Sequence, residues 1–433
     1  MIVAPTTYDV LRSRFVLRVL LAPDKFKGTL TAAEVAGFVE TGLLEVCRAA
    51  GLDLDVTTVP VADGGDGTLV AAGAAGFATV PVTATGPTGV PVDTAYVRRG
   101  DEAVVELAAV SALALLPDGM LAPTVATSRG TGDVIRAALD GGCRTIVVGI
   151  GGSASTDGGA GLVVALGARI LDVAGHQTGD GGGALIDAVT LDLSGLHPAL
   201  ADPRMQIVVA CDVDNPLCGP RGAAAVYGPQ KGADADQVVQ LDAGLAHWAD
   251  LVAATTGADR RDDPGAGAAG GVGFAALAIL GARLEAGVDL VFGLTGFHEA
   301  LAGSDLVVTG EGSLDEQTLH GKAPAGVAAA AAALGIPVVA VAGRSLLTPE
   351  RLRQAGIRAV YTLTELTDDR DEQLTRPGPL LTAIGRRIAR EHLVPTASPP
   401  GRPGRRPVAT ATVVATSAAP ATAIATDHRM VNP

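Results

Sequence analysis

The stretch of this chain best equipped for chemistry is a glycine-rich loop at residues 147–161, which reads VVGIGGSASTDGGAG. An apolar run leads into it, and a second apolar run at residues 162–166 follows with helical character. Glycines let a backbone approach a ligand closely, and the N–H groups at the start of a helix favour an anion. Because Ser153, Ser155 and Asp157 lie inside the loop, the pattern favours a phosphate or Mg²⁺ site over a plain tight turn.

Charged turns also follow the two strands predicted nearest the N-terminus. The first strand, residues 16–22, runs into a turn that carries Lys25 and Lys27, and a capping box at Thr31 and Glu34 is predicted to start the helix that follows. The next predicted strand, residues 56–61, ends in a turn with Asp63 and Asp66 among three glycines. Ligands of open α/β sheets bind at the carboxyl ends of strands, so these two lysines and two aspartates are candidate ligand contacts. Solvated lysines and Asx-turns are the alternatives.

Polar groups recur at later points of the chain in the same setting. Asp212 follows a predicted strand at residues 206–210, and Glu311 follows another at residues 304–309. Lys231 lies in the segment YGPQKGA, and Lys322 precedes an alanine-rich helix. A strand followed by glycine with Asp, Lys or Ser suits phosphoryl transfer, which needs positioning, Mg²⁺ and charge stabilisation more than a covalent nucleophile.

Two different patterns of predicted secondary structure, each in its own part of the chain, position these groups. Alternating strands and helices predict a doubly wound parallel-sheet domain, Rossmann-like or flavodoxin-like, from residues 15–60 and 295–394. Residues 61–294 contain short alternating runs between Gly-Pro and Arg-Gly-Asp turns, which predict an inserted α/β domain with a mixed sheet. Residues 1–14 are predicted to be an N-terminal extension, and residues 395–433, rich in Pro, Ala and Thr, a disordered tail.

The composition argues against several classes of function. The 433 residues carry a formal net charge of −14, which is unfavourable for binding nucleic acid or an anionic membrane surface. No window reaches the ~18 uninterrupted apolar residues of a membrane helix. The four cysteines form no CxxC pair and are interpreted as free thiols of a reducing compartment, so a cytoplasmic location is predicted.

Motifs of the familiar phosphotransferase classes do not account for the pattern. The Gly-Lys pair at residues 321–322 is followed by Ala323 and lacks the upstream glycine of a Walker A loop. There is no protein-kinase catalytic loop, no GxSxG and no histidine cluster with metal-ligand spacing. Residues 265–270 match GxGxxG by letter, but no strand is predicted before them, so they are interpreted as a loop.

Seven segments, taken together and in order, resemble the successive motifs of the bacterial glycerate kinase family, type I. They are APDKFKGTL (22–30), PVADGGDGT (60–68), TSRGTG (127–132), GIGGSASTDGGAG (149–161), CDVDNPLCG (211–219), YGPQKGA (227–233) and TGEGSLDEQTLHGKAP (309–324). The resemblance covers residues 16 to 392. It departs from the family's pattern where the loop reads SASTDGG instead of SATNDGG, and at Arg129, where an aromatic residue is frequent.

The resemblance implies an ATP- and Mg²⁺-dependent enzyme that phosphorylates D-glycerate, with 2-phosphoglycerate favoured over 3-phosphoglycerate as the product. It also implies two α/β domains with the active site in the cleft between them. Two alternatives stay open: a kinase of a related small hydroxy acid, and a non-catalytic nucleotide-binding protein of the same fold. The predicted partner is a small molecule, and the chain is predicted to be a monomer or a homodimer.

Each candidate residue receives a role on this hypothesis. The catalytic residues are predicted to be Asp157, Asp212 and Lys27. The Mg²⁺ ligands are drawn from the acids Asp157, Asp212 and Glu311. The cofactor-binding residues are predicted to be Gly151, Gly152, Ser153, Ser155, Glu311 and Lys322. The substrate-binding residues are predicted to be Lys25, Asp63, Asp66 and Lys231. A turn or capping role is the alternative for every one of them.

Overall fold

Thirteen strands and thirteen α-helices form in residues 16–319 and 321–395, the part of the chain that the structure, a computed structural model, describes. The strands are β1 (Leu17–Pro23), β2 (Leu54–Thr58), β3 (Ala78–Thr85), β4 (Pro91–Arg99), β5 (Glu102–Glu106), β6 (Thr145–Gly149), β7 (Arg169–Leu171), β8 (Thr190–Asp192), β9 (Gln206–Ala210), β10 (Arg283–Glu285), β11 (Leu306–Leu314), β12 (Val338–Ser345) and β13 (Ile357–Thr362). The helices are α1 (Ala32–Ala49), α2 (Thr68–Ala74), α3 (Arg129–Asp140), α4 (Ala160–Ala165), α5 (Ala223–Tyr227), α6 (Ala235–Thr256), α7 (Val272–Ala278), α8 (Gly287–Thr295), α9 (Phe297–Leu301), α10 (Ala323–Ala333), α11 (Pro349–Gln354), α12 (Arg370–Thr375) and α13 (Pro377–Ile388). The predicted N-terminal extension, and the predicted tail apart from Pro395, lie outside the described residues.

The first sheet joins the two ends of the chain. Its five strands are all parallel and stand in the order β13-β12-β11-β1-β2. Strand β1 pairs with β11, with Ala22 opposite Thr309. Numbered within the sheet, this is the flavodoxin-like order 2-1-3-4-5, whose switch point lies between the first and third strands. The ligand crevice is therefore expected beyond the carboxyl ends of β1 and β11.

Helices cover both faces of this sheet, and β1 shows how the sequence encodes that arrangement. Val19 and Leu21 lie in one buried cluster, whereas Leu20 and Ala22 lie in the cluster on the opposite face. Side chains alternate between the faces of a strand, so a run of apolar residues is buried on both sides. Helices α1 and α13 complete the first cluster, and α8, α9 and α10 complete the second. The predicted doubly wound parallel sheet is confirmed.

The second sheet is mixed, as predicted. Its six strands stand in the order β10-β9-β6-β5-β4-β3, with β3, β4 and β5 antiparallel and β5, β6, β9 and β10 parallel. The short strands β7 and β8 form a separate antiparallel pair. The glycine-rich loop leaves the carboxyl end of β6, near the middle of this sheet.

The strands of the first sheet lie within residues 15–60 and 295–394, and those of the second within 61–294. The described residues up to Val394 nonetheless form one compact unit, so the division into two domains stays a prediction. Within the described residues, no helix has the length and apolarity needed to cross a membrane.

The strand predicted at residues 56–61 differs from the observed one. Regular pairing ends at Thr58, because continuing this register would set Pro60 opposite Pro23, and Pro23 has no N–H to donate to β2. The N–H groups of Val59 and Val61 still donate to the carbonyls of Leu21 and Pro23, at 2.9 and 3.2 Å. This extension carries the chain alongside β1 and delivers the following acidic turn to the crevice.

Candidate active site

A cavity of about 780 Å³ opens beyond the carboxyl ends of β1, β2 and β11. Its walls contain many of the residues singled out from the sequence: Lys25, Lys27, Asp63, Asp66, Gly151, Gly152, Glu311 and Lys322. Gly151 and Gly152 belong to the loop after β6, whereas the other six residues belong to segments around the first sheet. The two sheets therefore contribute to one cavity.

A smaller cavity of about 380 Å³ adjoins the larger one. The two share the lining residues Asp63, Gly65, Gly151 and Gly152. Three more predicted site residues line the smaller cavity: Ser153, Asp212 and Lys231. Of all the predicted site residues, Ser155 and Asp157 are the two that line neither cavity.

Glycines let the loops after β2 and β6 touch at this junction. A Cβ atom at Gly151 would lie 2.9 Å from the Cα of Gly65. A Cβ at Gly64, where φ is +80°, would lie 2.5 Å from the Cβ of Ala210. Real Cβ atoms do not approach other carbons so closely, so side chains here would push the loops apart. These glycines are required for packing at the place where the cavities meet.

All four lysines of the chain line the two cavities, although Lys and Arg together number 32. Lys25, Lys27 and Lys322 line the larger cavity, and Lys231 lines the smaller one. Lysine differs from arginine in having a compact amine that can lose its proton. The cations concentrated here are thus suited to phosphate binding and, where one is buried, to proton transfer.

Lys25 ties the turn after β1 to the turn after β2. Its Nζ lies 3.0 Å from Oδ2 of Asp66 and also donates to the Asp66 carbonyl oxygen. Only 23% of the Lys25 side chain is exposed, whereas Asp66 is mostly exposed. The amine is therefore held at the cavity wall with a partner that an incoming anion can displace.

Asp24 is a cavity residue that the sequence reasoning missed. It directly follows β1, and its Oδ1 accepts a 2.6 Å hydrogen bond from the N–H of Lys25. Burial raises the pKa of Asp24 to about 7; the charge of Lys25 opposes this, and the carboxylates of Asp63 and Glu311 add to it. Its position directly after a strand, close to the position that Asp212 has two residues after β9, was the signal that could have identified it.

Glu311 lies inside β11, because the strand continues to Leu314 instead of ending at residue 309 as predicted. It is largely buried, and it accepts a hydrogen bond from the hydroxyl of Thr318. The Nζ of Lys322 lies 3.5 Å from its Oε2. Burial raises the pKa of Glu311, while Thr318 and Lys322 act in the opposite direction. The pair with Lys322 gives this wall of the cavity one acid and one amine side by side.

Asp212 lies at the carboxyl end of β9 and is held by the start of α8. Its Oδ1 accepts a 2.9 Å hydrogen bond from the N–H of Gly287. Burial raises the pKa of Asp212, the hydrogen bond from Gly287 opposes this, and the nearby carboxylates of Asp63 and Asp289 raise it further. The carboxylate is thus oriented on the wall of the smaller cavity.

Glu106 is a second residue that the sequence reasoning did not identify, and it holds the turn that carries Asp66. It ends β5, is buried, and accepts hydrogen bonds from the N–H groups of Gly67 at 3.1 Å and Leu69 at 3.0 Å. These donors open helix α2, so the carboxylate caps that helix and fixes the turn that carries Asp66. A carboxylate at a strand end was again the available signal.

Lys231 is the most deeply buried of the four lysines, with 2% of its surface exposed. Its Nζ lies 2.9 Å from Oγ of Ser153 and 2.5 Å from the carbonyl oxygen of Ser155. Burial lowers the pKa of Lys231 to about 7, while the charge of Asp157 raises it. The amine is therefore fixed beneath the glycine-rich loop, in an environment that disfavours its charged form.

Asp157, predicted to be catalytic and to bind metal, lies away from both cavities. This residue is fully buried and lines neither cavity. Its carboxylate accepts hydrogen bonds from the N–H and hydroxyl of Ser128, the hydroxyl of Thr127, and the N–H groups of Gly159 and Gly161. A carboxylate that accepts five hydrogen bonds holds the surrounding loop in place. This arrangement fits the alternative given above, in which the residue has a turn or capping role.

Ser155 likewise lies away from the cavities, against its predicted role in cofactor binding. It is fully buried, and its hydroxyl has no hydrogen-bond partner within the described part of the chain. Its carbonyl oxygen holds the amine of Lys231 instead. The contribution of Ser155 to the site is thus made through its backbone.

The predicted metal-binding set is not brought together. Among the described residues, no three His, Cys, Asp or Glu side chains are grouped so that they could hold a metal ion. Asp157 is enclosed by its own donors, whereas Asp212 and Glu311 line different cavities. A metal ion at this site would need oxygen ligands from a bound molecule as well as from the protein.

Known proteins of one family are similar to this chain over most of its length. The model of the glycerate kinase family matches residues 19–393. A glycerate kinase of Bacillus subtilis is 44% identical over 350 residues, which cover 80% of this chain and 90% of that protein. A glycerate 2-kinase of Escherichia coli is 43% identical over 359 residues, covering 82% and 93%. A crystal structure from Salmonella typhimurium LT2, of a protein provisionally named glycerate kinase 2, aligns with a TM-score of 0.76 and 41% identity, covering 87% of this chain and 98% of that one. The chain therefore belongs to the glycerate kinase family.

Proposed function

We propose that this protein transfers the γ-phosphoryl group of ATP to D-glycerate and that the product is 2-phosphoglycerate. The relatives named glycerate kinase and glycerate 2-kinase support this activity. The observation that carries the proposal is the meeting of two cavities at one glycine-rich junction, with every lysine of the chain on their walls. Phosphoryl transfer needs this combination of positioning and positive charge.

We assign the larger cavity to the nucleotide. Its volume of about 780 Å³ lies within the usual range of ~300–1,000 Å³ for a ligand pocket. Its lining carries six acidic residues and also five cations that can contact phosphates: Lys25, Lys27, Lys322, Arg344 and Arg370. Positive side chains lower the cost of bringing a triphosphate into a partly enclosed site. Lys25 and Asp66, predicted from the sequence to bind the acceptor, are thereby reassigned to the nucleotide side.

The residues around Asp24 fit a magnesium ion that arrives with the nucleotide. Mg²⁺ usually takes one or two carboxylates and completes its shell with water and phosphate oxygens. Asp24 is half-buried and feels the negative charge of Asp63 and Glu311, and a bound cation would relieve this repulsion. We assign the ion to Asp24 and Asp63. An Mg²⁺ ion held there would offset the negative charge that develops on the phosphate oxygens during transfer.

We assign the smaller cavity to the acceptor. Its walls carry Ser153, Asp212, Tyr227 and Lys231, which offer hydroxyl, carboxylate and amine groups to a small hydroxy acid. The cavities share Gly151 and their other junction residues, so a hydroxyl in one and a terminal phosphate in the other would meet there. Asp212, oriented by the N–H of Gly287, is assigned to a hydroxyl of the acceptor.

We further propose that residues 15–60 with 295–394 form one domain and residues 61–294 the other, with the two cavities at their junction. All four cysteines are free thiols, which suits a reducing cytoplasm. A monomer and a homodimer both accommodate this site, because every residue assigned here belongs to one chain.

The test is ADP release, followed with a coupled assay, against D-glycerate, L-glycerate, D-lactate, tartronate and glycerol. NMR spectroscopy of the product then identifies the phosphorylated carbon. We expect turnover with D-glycerate and a phosphate on carbon 2. Turnover with another acid in place of D-glycerate would favour the related hydroxy-acid kinase. ATP binding without turnover on any acceptor would favour the non-catalytic nucleotide-binding protein.

A further inference from the structure

The contact between Ser153 and Lys231 demands an explanation beyond anion binding. Lys27 is exposed and Lys25 is partly exposed, so water can solvate both ammonium groups when no anion is bound. Lys231 is buried, and its Nζ has two neighbours at hydrogen-bond distance, the hydroxyl of Ser153 and the carbonyl of Ser155. No carboxylate of the described residues forms an ion pair with this amine. A buried ammonium without a paired anion is costly.

We propose that Ser153 and Lys231 form a proton relay that removes the proton from the attacking hydroxyl of the acceptor. This inference rests on the proposed phosphoryl transfer to a hydroxy acid. It gives Lys231 the role of terminal proton acceptor, in place of the substrate-binding role predicted from the sequence. It gives Ser153 the role of the catalytic residue that touches the reacting hydroxyl.

The geometry suits a neutral amine as the resting state. A neutral Nζ has two N–H bonds and one lone pair. One N–H donates to the carbonyl oxygen of Ser155, 2.5 Å away. The lone pair can then accept the hydroxyl proton of Ser153 across the 2.9 Å contact. That leaves the oxygen of Ser153, which lines the smaller cavity, able to accept a hydrogen bond from an acceptor hydroxyl.

The charges around Lys231 act in opposite directions. Burial lowers the pKa of Lys231 to about 7, and Asp157 is the charged group that opposes this. The carboxylate of Asp157 accepts its hydrogen bonds from Ser128, Thr127 and its own loop. Its charge therefore raises the pKa of Lys231 from a distance, without forming an ion pair with the amine. Near neutral pH the amine is therefore poised between its two protonation states, where a general base is most effective.

The proposed step balances in atoms and charge. The acceptor oxygen forms a bond to the γ-phosphorus of ATP while the bond from that phosphorus to the β,γ-bridging oxygen breaks. The electron pair of the broken bond leaves with ADP. The acceptor's proton passes to Oγ of Ser153, and the proton of Ser153 passes to Nζ of Lys231. The resulting ammonium loses its proton to solvent before the next turnover.

The protonation state of Lys231 can be measured directly, without catalysis. The chain has four lysines, so protein labelled with ¹³C-lysine should give four sets of side-chain signals. Lys25→Arg, Lys27→Arg and Lys322→Arg each remove one set and assign the fourth to Lys231, even if Lys231→Arg does not fold. We expect the Lys231 signals to titrate with a midpoint near pH 7. An amine that stays protonated up to pH 9 would overturn the relay.

Kinetics supply the second test. We expect Ser153→Ala and Lys231→Arg to lower kcat by ~10²–10⁴-fold, the range of a lost general base, with the KM for ATP changed less than about threefold. The fall of kcat below pH 7 should disappear in Lys231→Arg, and Ser153→Thr, which keeps the hydroxyl, should restore most of the rate. The control is Ser304→Ala. Ser304 lies just before the amino end of β11 and lines neither cavity, and its hydroxyl donates a hydrogen bond to the carbonyl of Ala300.

The outcomes separate this inference from the proposed function. A wild-type enzyme that phosphorylates D-glycerate, together with variants at Ser153 and Lys231 that keep kcat within threefold, would refute the relay and leave the function standing. A wild-type protein without turnover would refute the function on which the relay rests. A large loss of kcat in Asp212→Asn, with both relay variants unaffected, would identify the aspartate as the base instead.

Discussion

The carboxylate of Asp157 accepts two hydrogen bonds from Ser128, one from its backbone N–H and one from its hydroxyl, each 2.8 Å long. The same Ser128 hydroxyl oxygen accepts a 3.0 Å hydrogen bond from the N–H of Leu162 in α4. One residue pair thus joins the end of the glycine-rich loop to the start of α3 and to α4. The loop that carries Ser153 is positioned by this clamp.

Asp157→Asn should therefore act mainly on stability. An amide has one acceptor oxygen and would point N–H bonds at groups that are themselves donors, leaving buried donors unpaired. We expect the free energy of unfolding to fall by ~2–4 kcal/mol, with kcat of the folded enzyme changed only a few-fold. Urea unfolding and kcat measured on the same preparations check this prediction. The control is Asp172→Asn, because Asp172 makes an Asx-turn that asparagine also makes. An unchanged unfolding midpoint with kcat reduced ~100-fold would restore the catalytic role predicted from the sequence.

Asp24→Asn should stabilise the protein at high pH but not at low pH. The folded-state pKa of Asp24 is raised to about 7 from an ordinary value of 3.8, mainly by burial. Between these values the folded state keeps a proton that the unfolded state has lost, so the stability contribution of Asp24, complete below pH 3.8, is lost as the pH rises toward 7. Asparagine does not titrate, and we expect it to raise the free energy of unfolding by ~1–3 kcal/mol at pH 8 relative to wild type. Denaturant midpoints at pH 4 and pH 8 test the sign, and an equal gain at both values would contradict it.

Lys25→Met should weaken the binding of ATP. The amine is held at the cavity wall by Asp66, and its loss would leave that carboxylate facing the phosphates. We expect the KM for ATP to rise ~10-fold or more, which corresponds to about 1.4 kcal/mol, with a much smaller change in the KM for the acceptor. Arg48→Met removes an exposed positive charge from the last turn of α1 and serves as the control. A larger effect on the acceptor than on ATP would place Lys25 on the other side of the site.

A chain that ends at Pro395 should keep the stability and activity of the full-length protein. The segment beyond it is rich in Pro, Ala and Thr and carries none of the site residues. Composition alone would also permit a cut after His392. That cut removes Leu393, which is 7% exposed and packs in the cluster with α1 and α13, so it should lower the thermal midpoint by several degrees. Comparing the two truncations by thermal unfolding and by kcat checks both statements. Equal midpoints would show that burial of Leu393 contributes nothing.

Several features could be predicted from the sequence because local interactions determine them. The capping box at Thr31 and Glu34 starts α1 through contacts three residues apart, and it forms as predicted. Strand ends that carry glycine with a charged residue can also be predicted from the sequence, because turn residues and strand periodicity are local properties. The order of the seven motifs identified the family, and parallel pairing of the strands then placed most of the predicted residues around two adjoining cavities.

The tertiary structure decided which polar residues face the cavities. Asp24 and Asp157 both lie in turns near strand ends, yet Asp24 lines the larger cavity while Asp157 is enclosed by Ser128, 29 residues away along the chain. The amine of Lys231 meets Ser153 across 78 residues of sequence, and no local pattern encodes that contact. Whether a carboxylate or an amine is solvated, buried or paired depends on which distant segments pack against it. Residue types and spacing therefore predicted the chemistry available to this protein, and long-range packing determined the role of each group.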